Sequence, residues 1–142
     1  MKTKYFRTWY KPYNNWINSI VLGEHGNVVS VTVSLEDSGP PTNNVRFLKE
    51  EDVDIEFSTG LEDKNGKEIY EGDIVSTIYT DQEDKKIGDI VYITEVGAYR
   101  VRCGQHLLPI VTYRVIGGSP QGLLTVASEI IGNIHENPEL LK

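Results

Sequence analysis

A single cysteine, Cys103, occurs in the 142 residues. An internal disulfide is therefore excluded. Positive charge is in the minority, with 14 Lys and Arg against 21 Asp and Glu, a net charge of −7. That balance argues against strong nonspecific affinity for phosphate backbones, while leaving room for a local basic patch. No apolar run has the length of a transmembrane helix. The basic opening Met1-Lys2-Thr3-Lys4-Tyr5-Phe6-Arg7 has no apolar stretch behind it, so it does not read as a secretory signal. The nucleophile elbow, the P-loop and the dinucleotide fingerprint are all missing; Gly117-Gly118-Ser119 lacks the Lys-Ser/Thr pair that a phosphate loop needs. The compartment expected from these features is the cytoplasm.

Short β-prone runs broken by turn residues fill the chain. Residues 4–10 read as a strand through Tyr5, Phe6, Trp9 and Tyr10, and Lys11-Pro12-Tyr13-Asn14-Asn15 as a turn. Residues 16–22 are apolar and precede a turn at 23–27. In the run 28–33, Val29, Val31 and Val33 alternate toward a core. Residues 38–44 form a Pro- and Asn-rich loop. Residues 1–43 thus make a strand meander. Residues 44–142 hold the rest of what is expected to be one domain.

A short helix is expected at 48–52, with Asn44 as its cap, followed by a strand at 55–58. Strands are expected at 74–80, across a hairpin at 87–103, at 107–116 and at 128–134. Residues 81–86 form a charged tip and 117–122 a loop. Pro109 marks residues 107–116 as an edge or bent strand. Asn137-Pro138-Glu139 reads as a helix start that docks Leu140 and Leu141. The fold class is mainly β: a small bent sheet or SH3-like β-barrel with the N-terminal meander and at most two short helices.

The densest turn chemistry lies between Thr59 and Val75. Lys64-Asn65-Gly66-Lys67 reads as a type I′ reversal, in which both central residues take positive φ. Gly60 suggests a bulge. Glu71-Gly72 makes a second turn that Asp73 can cap through its side chain. Asp63, Asn65, Glu68 and Glu71 supply oxygens, but Gly66 falls fourth after Asp63, where an EF-hand loop needs glycine sixth. A solvated acidic hairpin is the better reading. Gly88-Asp89-Ile90-Val91 echoes Gly72-Asp73-Ile74-Val75, too briefly to establish a duplication.

The run from Thr59 to Val75 reads T-G-L-E-D-K-N-G-K-E-I-Y-E-G-D-I-V. It resembles the signature of the YopX family, small proteins of bacteriophages and prophages. Phe6-Arg7-Thr8-Trp9 resembles that family's opening F-R-x-W. Residues 131–141 resemble its closing I-G-N-I-Y-E-N-P-E-L-L. Tyr10 stands where an acidic residue is frequent, and His135 where Tyr is usual. Residues 10–56 show no matching pattern. The resemblance implies an origin and an architecture, not a reaction.

Candidate chemistry is sparse. His25, His106 and His135 belong to no dense ligand cluster, and Cys103-Gly104-Gln105-His106 lacks the further ligands of a zinc site or the base and oxyanion donors of a nucleophile. No catalytic residue, metal site or cofactor is expected. Tyr99, Arg100 and Arg102, with Tyr113 and Arg114, form a candidate binding face, because small barrels set aromatic platforms beside basic residues; aromatics in the core with Arg on the wet face is the better reading. Phe6, Arg7 and Trp9 offer a lesser version. Alternation puts Tyr99, Val101 and Cys103 on one side and Arg100 and Arg102 on the other. The expected function is a non-catalytic macromolecule-binding module whose partner is a protein or a second copy of itself. A single-stranded nucleic-acid binder is the alternative, disfavoured by net charge, and an enzyme with an unrecognised site ranks last.

Overall fold

The computed structural model describes residues 5–17, 19–22, 28–32, 45–46, 49–78, 85–116, 119–126 and 128–142. For residues 19–22, 28–32, 45–46, 78, 111–116 and 119–126 the description covers the backbone alone. The expected turn at 23–27 with His25, the loop at 38–44, the cap Asn44 and the tip residues 81–84 lie outside it. So do the side chains of Val29, Val31, Tyr113 and Arg114, and all of Val33. The chain divides into two compact units, Met1–Phe57 and Ser58–Lys142.

In the first unit, β1 (Phe6–Tyr10) pairs antiparallel with β2 (Asn15–Ile17). The link between them is a 3-10 turn at Lys11–Tyr13, closed by Asn14 in the left-handed region at φ 49°. Further on, β3 (Ser19–Leu22), β4 (Val28–Thr32) and β5 (Val45–Arg46) form a three-stranded sheet. The helix expected at 48–52 is one 3-10 turn, Glu50–Asp52, entered from Lys49 with no side-chain cap. Three consecutive acidic residues and no apolar stripe leave nothing to extend it.

Next, β6 (Val53–Glu62) runs along β1 over its first five residues, so that Phe6 opposes Phe57, Arg7 opposes Glu56 and Tyr10 opposes Val53. Trp9, Ile17 and Val53 are buried there, and Trp9 meets Trp16 edge to face at 5.0 Å. That geometry suits the aromatic quadrupole, with positive edge on negative face.

In the second unit the last residues of β6 pair with β7 (Glu68–Tyr70). After them come β8 (Asp73–Ile78), β9 (Lys85–Ile93), β10 (Ala98–Cys103), β11 (His106–Leu108), β12 (Val111–Ile116), β13 (Ser119–Val126) and β14 (Glu129–Asn133). One antiparallel sheet has the order β11-β10-β9-β8-β14, and it curls as a half-barrel. The bent-sheet form of the expected β-rich class is the one observed. The core is Ile69, Val75, Ile90, Val101 and Ile110, with Leu61, Tyr99, Cys103, Leu108 and Ile130 packed against it. Burying these branched side chains on one face of a pleated sheet is the main driving term for this unit.

Three expectations need correction. The run 107–116 is two strands, because Pro109 has no N–H for a ladder and the chain leaves the sheet there. The loop expected at 117–122 is shorter: Ser119–Val126 is a strand, and Ile116 opposes Ser119. Asn137 precedes a 3-10 turn, Pro138–Leu141, without capping it through its side chain. Leu140 is half-buried while Leu141 stays exposed, so only one of the two leucines docks.

Candidate functional site

The signature hairpin is built around one carboxylate. Asp63 is buried, and its Oδ1 accepts the backbone N–H groups of Asn65 and Lys67, both at 2.9 Å. Its Oδ2 accepts the N–H of Ile130 at 3.1 Å. Burial pushes the Asp63 carboxyl up, but the three N–H donors and the Lys67 ammonium outweigh it and hold the group below its usual range.

This carboxylate also changes the turn. Gly66 sits at φ 81°, whereas Asn65 does not enter the left-handed region, so the reversal is not type I′. Gly66 N–H bonds the Asp63 carbonyl at 3.0 Å and Asp63 N–H bonds the Lys67 carbonyl at 2.7 Å. That is the pattern of a type I turn followed by a glycine bulge. The Asp63 side chain selects it by binding Asn65 and Lys67 together, as Asx turns do.

The bulge at Gly60 is present, with a register shift between Ser58 and Glu62. Ser58 Oγ accepts Gly60 N–H at 3.0 Å, and Thr59 Oγ1 accepts Leu61 N–H at 3.1 Å while donating to the Ile69 carbonyl. Asp73 caps the next turn as expected: its Oδ2 accepts the Tyr70 N–H at 2.9 Å.

Around Asp63, Lys64 completes a clamp on the start of β14. Its N–H bonds the Ser128 carbonyl at 3.0 Å and its Nζ pairs with Glu129 Oε2 at 2.6 Å. The Lys64 ammonium, with help from Asn65 and Lys85, holds the Glu129 carboxyl below its usual range.

Of the expected binding-face residues, the structure describes the side chains of Tyr99, Arg100 and Arg102. Tyr99 and Val101 lie toward the core and Arg102 away from it, in keeping with the alternation. Tyr99 meets Tyr92, its cross-strand partner, edge to face at 5.1 Å. Burial first, then the Glu71 carboxylate, pushes the Tyr99 hydroxyl up. Arg100 is half-buried and donates to the Tyr99 carbonyl. Arg102 grips Asp89 through Nε at 3.1 Å and Nη2 at 2.6 Å, a bidentate pair with Asp89 buried beneath it. Bonding to Asp89 holds the guanidinium above its ordinary value.

Two exposed apolar residues that were not singled out from the sequence share this face. Leu107 opposes Arg102 on β11, and Ile87 lies two residues before Asp89 on β9. They are 48% and 47% exposed. No sequence signal separates them from core residues, since both occupy the apolar positions of ordinary strands.

Cys103 and His106 are cross-strand partners at the β10–β11 turn. Burial pushes the Cys103 thiol up, opposite to what a reactive thiolate needs. Among the described residues no group of three or more His, Cys, Asp or Glu is arranged to hold a metal ion. No described helix is long and apolar enough to cross a membrane.

In the first unit Phe6, Arg7, Trp16 and Ile17 line an open cavity of about 320 Å³. Arg7 Nε binds Glu56 at 2.8 Å, and the guanidinium lies 4.5 Å from the centre of the Trp16 ring. Trp9 is buried, as a core aromatic would be.

No curated protein matches the chain. Solved structures that share its fold include the following two. Protein EF1440 from Enterococcus faecalis is 23% identical, with 99% of each chain covered and a TM-score of 0.57. Protein yopX from Bacillus subtilis is 18% identical, with 100% of this chain and 98% of that one covered and a TM-score of 0.55. The YopX protein family model matches residues 5–142. With the signature hairpin and the closing turn both inside that span, the chain belongs to the YopX family.

Proposed function

We propose that this chain is a non-catalytic binding module of phage or prophage origin, acting in the cytoplasm of its bacterial host through a protein partner. The observation that carries the reading is the outer face of β9, β10 and β11. Ile87 and Leu107 are nearly half exposed there on the same side as Arg102. Arg ringed by apolar side chains is the composition of a binding hot spot. Asp89 holds the Arg102 fork in one orientation, so less side-chain entropy is lost on docking.

The same pair favours protein over nucleic acid. Two of the Arg102 guanidinium nitrogens that would grip a phosphate, Nε and Nη2, already bind Asp89, and the whole chain carries net charge −7. The partner that fits is an apolar protein surface with acceptors for the remaining Arg102 N–H groups. Single-stranded nucleic acid is the competing reading.

The test is affinity capture from host lysate with nuclease-treated and untreated halves, using the parent chain and an Ile87→Asp/Leu107→Asp variant whose circular dichroism matches it. A protein retained after nuclease by the parent and lost by the variant is expected. Recovery of nucleic acid alone, or equal retention of the protein by both chains, overturns the proposal.

A further inference from the structure

In an antiparallel strand paired on one side, alternate residues turn their N–H and C=O groups to the other side, where they invite a strand from another chain. On β14 the neighbour is β8, with Ile130 opposite Val75 and Asn133 opposite Asp73. At each end of β14, groups facing away from β8 are spent on a short segment of the same chain.

At one end, Ile130 N–H goes to Asp63 Oδ2 and the Ser128 carbonyl, just before β14, to Lys64 N–H. At the other end, Asn133 N–H goes to Asn137 Oδ1 at 3.3 Å, and the Asn133 carbonyl accepts Asn137 N–H at 2.8 Å. Between them a register shift falls between Ile130 and Gly132, which itself disrupts a ladder. Gly132 lets the closing turn lie flat on the strand: a Cβ there would stand 2.7 Å from Asn137 Oδ1 and 2.9 Å from Leu140 Cδ1.

We infer that the signature hairpin and the closing Asn-Pro turn are two caps on one sheet edge, and that they keep β14 from adding a strand of a second copy of this chain. Asp63 serves the purpose because a carboxylate accepts from the edge without offering an N–H of its own to the next strand. Asn137 imitates a strand residue, giving one acceptor and one donor to Asn133, and Pro138 after it has no N–H to continue the ladder. The opposite edge, β11, is three residues long and ends at Pro109, a second protected edge. The two sequence motifs at residues 59–75 and 131–141 thus act on the same strand, although 55 residues separate them in the chain.

The experiment uses the full chain with Asp63→Ala, Asn137→Ala and the double variant. Amide hydrogen exchange and sedimentation over a concentration series are the readouts, with Gly88→Ala as a control that weakens the core and leaves both caps in place. Exchange at Ile130 is expected to rise on the order of tenfold in Asp63→Ala, and at Asn133 similarly in Asn137→Ala. The uncapped chains should also form larger species as concentration rises, beyond whatever the parent forms. Should Asp63→Ala fail to fold, Asn137→Ala makes the same test on the other half of the edge. Folded, uncapped variants that sediment like the parent at every concentration overturn the inference, as does equal association by Gly88→Ala.

Discussion

The Asp63 carboxylate accepts the backbone N–H of Ile130 across 67 residues of chain, at 3.1 Å. One side chain therefore closes its own turn and ties that turn to a strand near the far end of the molecule. Removing it should be costly. Asp63→Ala leaves three N–H groups without their acceptor, and the expected loss is about 3 kcal/mol, since hydrogen bonds to charged groups contribute about 1.5–3 kcal/mol each and water recovers part of the loss. Asp63→Asn keeps one acceptor oxygen and should lose about half as much. Chemical denaturation of both variants checks this; equal stability of Asp63→Ala and the parent would refute it.

The same carboxylate should make stability fall in acid. Its folded pKa lies below the unfolded value, so its contribution is present in full above about pH 4 and is lost as pH falls through the folded pKa. Glu129 is shifted in the same direction by Lys64 and acts in the same window. Unfolding free energy measured from pH 6 downward should drop more steeply below about pH 4 in the parent than in Asp63→Asn. Parallel curves for the two chains would show that Asp63 is not the group responsible.

Gly88 and Gly60 should respond to alanine for different reasons. At Gly88 a Cβ would stand 2.4 Å from the Arg102 carbonyl oxygen and 2.7 Å from Cys103 Sγ, and the carbonyl belongs to the β10 ladder. Gly88→Ala should cost about 1–3 kcal/mol as an overpacking strain. At Gly60 nothing lies within 4 Å, and the cost of about 1 kcal/mol comes from φ 77° alone. Thermal melts of the two variants distinguish them; a larger loss at Gly60 would contradict the packing account.

The Asp89–Arg102 pair should show coupling in a double-mutant cycle. The Asp89 side chain is 5% exposed and that of Arg102 55%. Arg102→Leu strands a buried carboxylate, whereas Arg102→Leu with Asp89→Asn does not. Because the guanidinium is largely in water, the coupling should be about 1 kcal/mol, well below that of a fully buried pair. A cycle that closes to zero would mean that water replaces the guanidinium without loss.

Several local features could be read from the order of residues. Gly60 bends the chain, Asp73 caps the Glu71-Gly72 turn, and Tyr99, Val101 and Cys103 share a face because alternation in a strand is a property of neighbours. The echo of Gly72-Asp73-Ile74-Val75 in Gly88-Asp89-Ile90-Val91 was legible too, and the structure gives its two copies different work. They lie side by side, with Ile74 opposite Asp89 and Val75 opposite Gly88. Gly72 takes φ 78° in a turn, while Gly88 is small because β10 passes over it. Asp73 accepts a backbone N–H and Asp89 an Arg guanidinium. Of the expected binding face, Arg102 came with partners that sequence could not supply: Asp89 beneath it and Leu107 across from it.

By itself the sequence determined the β-rich class, most turn positions and the family, because strand alternation, glycine and proline geometry and motif order act over a few residues. Tertiary structure decided what those residues are for. Asp63 could have been a solvated acid on a hairpin tip until β14 brought Ile130 to it, and the type I′ turn expected at Asn65-Gly66 gave way to the turn that this carboxylate prefers. Asn137 could have capped its own helical turn until Asn133 offered it an N–H and a carbonyl. A hydrogen bond is directional and short, and its worth depends on which partner the fold brings within about 3 Å.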